Sequence, residues 1–460
     1  MNILVLGSGA REHALCHALF RSPSVHKIFA CPGNGGISQI CTCIPFSTNA
    51  ELIKFAANRV ELAVVGSSKF VSSGTVDALV TAGIPVIGPA ADAGRIETSK
   101  AFASAFLARH NIPSPVTQVV RNIREAQKFI QENPWVKVVK ADGFARGMGV
   151  AVTSTPEEAL LAAETFLKAN GPPLILQEKL EGIECSYSIL TDGNQWVSFS
   201  SSRDYKRAFE GETGPTTGGM GSVSPFPDLT PELEESIRQR VVIPTVQGLL
   251  KDKLIYRGFL SIQLMLTARG PRVLEFNARL GDPETQSILA RFRGNLATLL
   301  SDCSRGRLDA TGSEVAFGRN WAVSVVLARA GYPVDETIEP TVGGLDDVKN
   351  GLIFHSSSTK NDSDASWKFT SGRLLTVTGI GETLSDAHFA CYRDIDRLSL
   401  QNVRYRSDIG SEKETAIKDP ATKDPATKEP TTIVPATKEP TTIEPAAKEP
   451  TTIDPTIKEG

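Results

Sequence analysis

The sequence predicts an α/β protein whose N-terminal part is a doubly wound parallel sheet. Residues 2–6 form a short apolar run that ends at Gly7, as a buried parallel strand does. A helical segment follows over about residues 12–20. The alternation continues, with Gly- or Pro-marked turns, through strands at 27–30, 61–65 and 85–87 and a helix at 75–82. Ligands of such sheets bind at the carboxyl ends of the strands, so we expect a site there.

Three further blocks follow, at about residues 115–190, 191–330 and 331–410. A helix at about 100–110 leads into the first block, which has strand candidates at 135–140 and 174–177 and a helix at 157–169. The second block has long strand candidates at 195–200, 260–266 and 272–277 and long helical ones at 231–250 and 284–300. The third block is smaller and β-rich, and it closes the folded part.

The last fifty residues differ from the rest in composition. Pro recurs at every fifth position from 420 to 455, and residues 411–460 carry 7 Lys, no Arg and 10 Asp or Glu. The repeat contains no aromatic residue and few aliphatic ones, so it cannot bury enough surface to offset its chain entropy. We expect a disordered, partly polyproline-II-like tail, and the sequence does not indicate its partner.

The tail accounts for the whole net charge of −3, which leaves 42 basic and 42 acidic side chains in the first 410 residues. Nucleic acids and anionic membranes require a basic excess, so neither is expected as a partner. The chain has no apolar run of about 18 residues and no signal-peptide pattern at its start. Its seven scattered Cys fit reduced cytoplasmic thiols, and Cys41 and Cys43 lack the second pair of a usual zinc site.

Glycine-rich loops follow the first two predicted strands. The first, Gly7-Ser-Gly9-Ala-Arg11-Glu12, lies between a strand and a helix, where backbone N–H groups can hold a phosphate. Glu12 stands where a dinucleotide-binding fingerprint has its third glycine, so the loop does not match that fingerprint. The alternative is a plain strand–helix turn. The second loop contains Gly33 and Asn34 and either lines the same crevice or is an ordinary turn.

Lys140 ends a predicted strand and precedes a glycine-rich loop. A lysine beside such a loop combines a point charge with backbone donors, as triphosphate sites do. The alternative is a surface lysine before a hairpin. Downstream, residues 177–180 end a strand and begin a linker that can offer backbone groups to an adenine edge, with Glu184 in reach of a ribose.

Glu275 and Asn277 lie two residues apart on a predicted strand and therefore share one face. Their oxygens suit hard cations that bridge phosphates. Arg279 continues this face if the strand continues, and the turn at 281–286 adds carboxylates. An exposed polar strand face is the alternative, although apolar neighbours such as Phe276 disfavour it.

A charged segment at residues 203–207 precedes a Gly- and Thr-rich loop at 211–221. So many glycines would destabilise a regular element. Because apolar chain continues on both sides, a loop that substrate approaches closely explains them better than a linker does.

Together these motifs resemble the glycinamide ribonucleotide synthetase (phosphoribosylamine–glycine ligase) family, which consists of ATP-grasp enzymes of purine synthesis. The resemblance covers about residues 1–410 and includes GSGAREHAL, PGNGG, VVKADG, TGPTTGGMG and EFNARLGDPETQ. It implies that ATP joins glycine to 5-phosphoribosylamine through a glycyl phosphate. It also implies an N-terminal phosphoribosylamine-binding domain, two ATP-grasp lobes, a small C-terminal domain and an appended tail, with the boundaries 1–98, 99–190, 191–330, 331–410 and 411–460. We expect a monomer.

The resemblance and the motifs together assign roles to individual residues. The expected ATP-binding residues are Lys100, Lys140, Arg146, Gly147, Gly149, Gln177, Glu178, Leu180 and Glu184. The expected ligands of Mg²⁺ or Mn²⁺ are Glu275 and Asn277, and the expected catalytic residues are Asp204, Lys206, Arg207 and Arg279. The expected substrate-binding residues are Gly7, Gly9, Arg11, Gly33, Asn34, Thr213, Gly214, Asp282, Glu284 and Thr285.

The chain departs from the family pattern at two loops. Met148 stands where the family usually has a lysine, and we hypothesise that Arg146 supplies the lost charge. Gly66-Ser67-Ser68, followed by Lys69, replaces Gly-Pro-Glu on the sugar-phosphate side. Two alternatives therefore stand beside a working enzyme of this family. One is an ATP-grasp ligase with a different amine or carboxylate substrate, and the other is a weakly active nucleotide-binding paralogue.

Overall fold

The computed structural model describes residues 1–143, 149–309, 315–334, 337–349, 351–361 and 366–411. The predictions for Arg146, Gly147 and the tail beyond residue 411 lie outside these residues. Among the described helices, none combines the length and the apolar character needed to cross a membrane. All seven cysteines are free.

The N-terminal region forms the parallel sheet that the sequence predicts. Its strands lie in the order β3-β2-β1-β4-β5. They are β1 (Asn2–Gly7), β2 (Lys27–Pro32), β3 (Thr42–Cys43), β4 (Leu62–Val65) and β5 (Val86–Ile87). The helices are α1 (Ala10–Phe20), α2 (Asn49–Ala56), α3 (Ser68–Ser72), α4 (Thr75–Thr81) and α5 (Ala91–Thr98).

Strand β1 is uniformly apolar because both of its faces are buried. Ile3 and Val5 pack into one core cluster, whereas Leu4 and Leu6 pack into another on the opposite face. Strand β1 pairs with β2 on one side and with β4 on the other, so the strand order reverses at β1. The crevice expected of such a reversal opens at the carboxyl end of β1, where the first glycine loop lies.

Helix α6 (Lys100–Arg109) leads to a four-stranded antiparallel sheet, which we call the small lobe. Its strands, in the order β6-β9-β7-β8, are β6 (Thr117–Val120), β7 (Val136–Ala141), β8 (Val150–Val152) and β9 (Leu174–Glu178). Its helices are α7 (Ile123–Glu132) and α8 (Pro156–Asn170). Thr155 caps α8 by accepting a hydrogen bond from the Glu158 N–H, and Pro156 occupies the first turn.

The rest of the described chain is built on a large antiparallel sheet in the order β16-β15-β10-β11-β14-β17-β22-β19, with β24 paired to β17. Its strands are β10 (Ile183–Thr191), β11 (Trp196–Asp204), β12 (Arg207–Phe209), β13 (Thr213–Thr216), β14 (Gly221–Ser224), β15 (Gly258–Thr267), β16 (Gly270–Asn277), β17 (Trp321–Arg329), β18 (Thr341–Gly343), β19 (Leu352–His355), β20 (Ser358–Lys360), β21 (Trp367–Phe369), β22 (Arg373–Gly381), β23 (Ser399–Gln401) and β24 (Val403–Arg404), of which β12–β13, β18–β23 and β20–β21 form separate pairs. Its helices are α9 (Pro231–Ile237), α10 (Ile243–Lys251), α11 (Glu284–Arg291), α12 (Leu296–Ser304) and α13 (Leu384–Ile395).

The large sheet runs across the boundary predicted at residue 330, because β17 pairs with β14 on one side and with β22 on the other. The predicted single helix over 284–300 is wrong, because α11 and α12 are separate helices. Phe292 is extended (φ −67°, ψ 133°), and Asn295 caps α12 by accepting a hydrogen bond from the Thr298 N–H. The predicted helix over 231–250 is confirmed, with a π-helical turn at Arg238–Val242 between α9 and α10.

Candidate active site

The carboxylate of Glu275 lies among three lysines from different elements. Lys140 is buried on β7, Lys100 begins α6 and Lys206 follows β11. Burial alone would raise the pKa of Glu275, but Lys206, Lys140 and Lys100 lower that pKa overall. Burial lowers the pKa of Lys140, and the Glu275 carboxylate opposes this shift. Lys206 also pairs with Glu184, so the cluster has three cations against two carboxylates, and this excess suits a further anion.

Asp142 holds the start of α6, where Lys100 lies. Its carboxylate accepts hydrogen bonds from Ser99 Oγ (3.0 Å) and from the Ala101 N–H (3.1 Å). A carboxylate is favoured at a helix N-terminus because the N–H groups there have no partner within the helix. Lys100 Nζ donates to the Gly143 carbonyl at 3.1 Å, so the lysine lies beside the start of the glycine-rich loop.

The glycine-rich loop is described at its two ends. The Ala141 N–H donates to the Gly149 carbonyl at 2.8 Å and closes the base of the loop. Because Arg146 and Gly147 lie outside the described residues, their ATP contacts stay predictions.

Gln177 and Glu178 close the end of β9 against the start of β6. Gln177 Nε2 donates to Thr117 Oγ1 at 2.9 Å, and Glu178 Oε1 accepts from the Val116 N–H at 2.8 Å. Leu180 follows in the linker to β10, where it is half-buried between exposed neighbours. Both polar side chains are thus engaged in holding the hinge, which leaves the linker backbone as the part that can meet an adenine edge.

Lys206 pairs with Glu184, with 2.9 Å between Nζ and Oε2. Burial alone would lower the pKa of Lys206, but Glu184, Asp204 and Glu275 raise it overall. Burial and the nearby Glu284 carboxylate raise the pKa of Asp204 well above its usual range. Asp204 Oδ1 is buried, and no described group donates a hydrogen bond to it. A buried carboxyl group of this kind in a charged pocket suits proton transfer or recognition of a cationic group.

Asn277 shares a face of β16 with Glu275, while Phe276 between them packs into the core. Asn277 Oδ1 accepts a hydrogen bond from Arg279 Nη2 at 3.0 Å. Over the described ranges, no three His, Cys, Asp or Glu side chains form a metal-binding group. Mg²⁺ bound with nucleotides takes one or two protein oxygens and completes its shell with phosphate and water. The Glu275–Asn277 pair fits that requirement.

The turn after β16 connects to the C-terminal block through Arg373. Arg373 Nη2 lies 3.2 Å from Asp282 Oδ2, and Nη1 donates to the carbonyls of Asp282 (2.9 Å) and Gly218 (2.7 Å). Burial alone would raise the pKa of Asp282, but Arg373 and Arg11 lower it overall. The Asp282 carboxylate also faces the first glycine loop, since a Cβ on Gly9 would lie 3.7 Å from Oδ2.

Glu284 and Thr285 begin α11 and are buried. Glu284 Oε1 accepts hydrogen bonds from Ser186 Oγ at 3.2 Å and Gln263 Nε2 at 3.4 Å. Thr285 Oγ1 donates to the Gly281 carbonyl at 2.5 Å. Both side chains therefore have partners within the protein, and their substrate contacts stay predictions.

Glu12 lies beneath the first glycine loop. Its Oε2 accepts from the Gly9 N–H at 2.6 Å, and its Oε1 pairs with Arg11 Nε at 2.8 Å. A Cβ on Gly7 or Gly66 would lie 2.4 or 2.3 Å from the Glu12 side chain, so any larger residue there would displace Glu12. Because Glu12 already occupies the Gly9 amide, a phosphate at this loop needs other N–H groups.

Asn34 ties the second glycine loop to the rest of the protein. Its Nδ2 donates to the carbonyls of Ser8 (2.7 Å) and His355 (2.8 Å), and its Oδ1 accepts from the Ile37 N–H (2.9 Å). Gly33 beside it has φ +73°, which favours glycine. The Asn34 amide thus has a structural role, and the substrate contact remains a prediction.

Arg207, Thr213 and Gly214 lie together in the β12–β13 hairpin. Arg207 Nη1 donates to the Gly214 carbonyl at 2.9 Å, and Thr213 Oγ1 donates to the Glu210 carbonyl at 2.8 Å. Arg406 Nη1 donates to the Arg207 carbonyl at 3.1 Å and fixes the hairpin to the C-terminal segment.

Three further residues bind the expected site residues. Sequence reasoning missed Arg373 and Glu97, and it named Ser68 only as part of the loop that departs from the family pattern. Glu97 Oε1 lies 3.2 Å from Arg279 Nη2, and Ser68 Oγ accepts from Arg279 Nε at 3.2 Å. The only sequence signal for Glu97 was a weak one, its position three residues before Lys100. Arg373 opens β22 in a block without a motif, and it had no signal at all.

Three domain profiles of one family match consecutive parts of the chain. The N domain of phosphoribosylglycinamide synthetase matches residues 1–97, its ATP-grasp (A) domain matches 98–285 and its C domain matches 322–412. The chain belongs to the phosphoribosylglycinamide synthetase family. The family resemblance and the α/β ATP-grasp fold class expected from the sequence are confirmed.

Relatives from this family align with the chain over nearly the whole length of each relative. Phosphoribosylamine–glycine ligase from Ralstonia nicotianae is 37% identical over 420 residues, which covers 89% of this chain and 99% of that protein. The ligase of the same name from Yersinia pestis is 38% identical over 423 residues and covers 89% and 98%.

Two solved structures are similar to this chain, and the first carries the same enzyme name as the relatives above. The crystal structure of phosphoribosylamine–glycine ligase from Thermotoga maritima has a TM-score of 0.78 and 30% identity, and it covers 89% of this chain and 100% of that chain. The biotin carboxylase domain of 2-oxoglutarate carboxylase from Hydrogenobacter thermophilus, crystallised with ADP and magnesium, has a TM-score of 0.67 at 15% identity. That second match covers 88% of this chain and 91% of the other, and it shows the fold alone.

Proposed function

We propose that this protein is an ATP-dependent carbon–nitrogen ligase of de novo purine synthesis. It joins glycine to 5-phosphoribosylamine and releases glycinamide ribonucleotide, ADP and phosphate. The relatives named phosphoribosylamine–glycine ligase, which align with 89% of the chain, support this reaction. The single structural observation that supports it best is the convergence of Lys100, Lys140 and Lys206 on Glu275, because polyphosphate binding requires such an excess of cations.

The proposed reaction has two steps. A carboxylate oxygen of glycine attacks the γ-phosphorus of ATP, ADP leaves and glycyl phosphate forms. The amine of 5-phosphoribosylamine then attacks the glycyl carbonyl, inorganic phosphate leaves and the new amide nitrogen loses a proton. The protein holds the reactants in line and offsets the charge of the transferring group, as other phosphoryl-transfer enzymes do.

The residue roles follow from position and charge. Lys100, Lys140 and the glycine-rich loop would grip the phosphates, and the linker that contains Leu180 would meet the adenine. Glu275 and Asn277 would hold Mg²⁺ or Mn²⁺, which would supply positive charge that offsets the charge of the phosphates.

On the acceptor side, Asp204, Lys206 and the 282–285 turn would lie near glycine and the amine, and Arg279 would stabilise the transferring charge. The N-terminal sheet, residues 1–98, would bind the sugar phosphate. We also propose that the protein is a cytoplasmic monomer, which light scattering on the full chain would test.

The deciding experiment measures ADP release by the full chain with ATP, glycine and freshly prepared 5-phosphoribosylamine. Omission of either acceptor should abolish release, and the new product should contain both acceptors by mass spectrometry. EDTA should stop the reaction, and Mg²⁺ or Mn²⁺ should restore it. ADP release that is indifferent to both acceptors would contradict the proposal.

One observation favours a second candidate, a ligase for a different amine or carboxylate. In the loop on the expected sugar-phosphate side, Ser68 is bonded to Glu97 and Arg279, and the exposed Lys69 adds a cation. A screen of amines and carboxylates by ADP release separates the two candidates. Faster turnover with another pair than with glycine and 5-phosphoribosylamine would favour the second.

A further inference from the structure

Ser68, Glu97 and Arg279 form a closed triangle of polar contacts between the N-terminal sheet and the large sheet. Ser68 Oγ donates to Glu97 Oε1 at 2.6 Å and accepts from Arg279 Nε at 3.2 Å. Arg279 Nη2 lies 3.2 Å from the same Glu97 oxygen. The three residues come from the start of α3, from α5 and from the segment after β16.

The triangle is anchored on the side of Arg279 as well. Glu97 Oε2 accepts from the Ala278 N–H at 2.9 Å, and Arg279 Nη1 donates to the Leu280 carbonyl at 3.1 Å. Arg279 Nη2 also donates to Asn277 Oδ1 at 3.0 Å. The side chain of Glu97 is 6% exposed and that of Arg279 is 18% exposed, so water competes weakly for these bonds.

Glu97 and Ser68 hold Arg279 in different ways. The Glu97 carboxylate supplies charge, which attracts the guanidinium in several orientations. The Ser68 hydroxyl supplies direction, because its single proton is committed to Glu97 and its lone pairs are left for Nε. A guanidinium held at both Nε and Nη2 cannot turn about its Cδ–Nε bond without losing one of them.

We propose that Ser68 is a positioning residue that fixes the plane of the Arg279 guanidinium beside Asn277. The inference rests on the proposed function, in which Arg279 stabilises the transferring charge. Ser68 itself touches no reacting atom. It acts through Arg279, and it does so from the N-terminal sheet, so the loop after β4 tunes the rate at a site on β16.

The test compares variants of the full chain that differ in the hydroxyl alone. Ser68→Thr keeps the hydroxyl. Ser68→Val introduces a side chain of nearly the same shape as threonine that lacks the hydroxyl. Ser72→Ala is the control, because Ser72 is exposed and its hydroxyl bonds only to nearby carbonyls. We expect kcat to fall about tenfold in Ser68→Val and Ser68→Ala, the effect of losing one hydrogen bond to a charged group. The KM for ATP should stay unchanged, and Ser68→Thr and Ser72→Ala should retain the kcat of the wild type.

Equal kcat in Ser68→Thr and Ser68→Val would overturn the inference. A rise in the KM for 5-phosphoribosylamine at unchanged kcat would also overturn it, because Ser68 would then be a substrate contact. A wild type that releases no ADP when glycine and 5-phosphoribosylamine are both present contradicts the proposed function instead.

A second measurement does not depend on turnover. Urea unfolding of Ser68→Ala, Arg279→Lys and the double variant gives the coupling between the two side chains. Positioning through the Nε bond predicts that Ser68→Ala destabilises the protein less in the Arg279→Lys background, which lacks that bond, than in the wild type. Additive losses would overturn the inference.

Discussion

Lys206 Nζ lies 2.9 Å from Glu184 Oε2, and the same ammonium group lowers the pKa of Glu275 on another strand. One lysine therefore balances carboxylates on β10 and β16. The surrounding carboxylates in turn raise the pKa of Lys206 against the effect of burial, so the lysine stays protonated over the whole working pH range. The ionisation of Glu275 thus depends on a residue that does not share its strand.

Replacing Lys206 by Gln should move the acid limb of the pH profile to higher pH. Lys206 lowers the pKa of Glu275 more than any other nearby cation, so removal of its charge raises that pKa. Glu275 is then protonated, and lost as a cation ligand, at a higher pH than in the wild type. We expect kcat/KM for ATP at pH 7 to fall at least about tenfold, as for loss of one charge-stabilising group.

The control for this experiment is Lys168→Gln, which removes the same charge from an exposed position on α8. Its profile of kcat/KM against pH should coincide with that of the wild type. An acid limb that does not move in Lys206→Gln would show that Glu275 does not respond to this lysine.

Asp204→Asn should stabilise the fold while it lowers the rate of ADP release. Burial raises the folded-state pKa of Asp204 above the unfolded value of about 3.9. Between those two values the unfolded state has lost a proton that the folded state keeps, so folding is disfavoured as pH rises through this window. Asn carries no charge in either state, and we expect the free energy of unfolding at pH 7 to rise by about 1 kcal/mol.

Urea unfolding at pH 7 and at pH 3 measures this effect. The gain should shrink at pH 3, where Asp204 is protonated in both states. Asp92→Asn, at an exposed position on α5, serves as the control and should change stability little at either pH. A less stable Asp204→Asn protein at pH 7 would contradict the prediction.

Local pattern predicted those parts of the fold and site that depend on neighbours in sequence. The apolar run of β1 predicted a strand buried on both faces, and Ile3 and Leu4 do pack into cores on opposite sides. The spacing of Glu275 and Asn277 predicted a shared face of β16. In each case the period of the strand alone determines which side chains lie together.

Contacts between distant segments were beyond local pattern. Arg373 reaches Asp282 from a strand 91 residues away, and no motif marks that strand. Such a contact depends on tertiary packing, which periodicity does not contain. The break between α11 and α12, in contrast, had a local signal that the prediction of one helix over 284–300 did not use: Gly294 is followed by Asn295, which caps α12.

Arg146→Ala should raise the KM for ATP about tenfold, as expected for one lost contact between a cation and a phosphate. Arg146 lies outside the described residues, and its position in the glycine-rich loop with Met148 motivates this prediction. Steady-state ADP release against ATP concentration measures it, with Arg124→Ala on the exposed side of α7 as the control.

A rescue variant makes the interpretation of Arg146 sharper. Met148→Lys in the Arg146→Ala background returns a cation to the loop and should recover most of the ATP affinity. Wild-type KM and kcat in Arg146→Ala would mean that the loop needs no cation from this residue.

Ending the chain after Gly410 should leave ATP turnover and stability unchanged. Ile409 is fully buried in the core, and Arg406, which is also buried, pairs with Glu212 and Asp408, so this truncation retains the last anchoring contacts. A chain that ends after Arg404 loses these contacts and should unfold at several degrees lower temperature, since a loss of about 2 kcal/mol or more is expected from removing the buried Ile409 side chain from the core. Thermal unfolding and ADP release of both truncations measure the difference. A folded chain that ends at Gly410 but turns ATP over slowly would assign the repeat a role in catalysis.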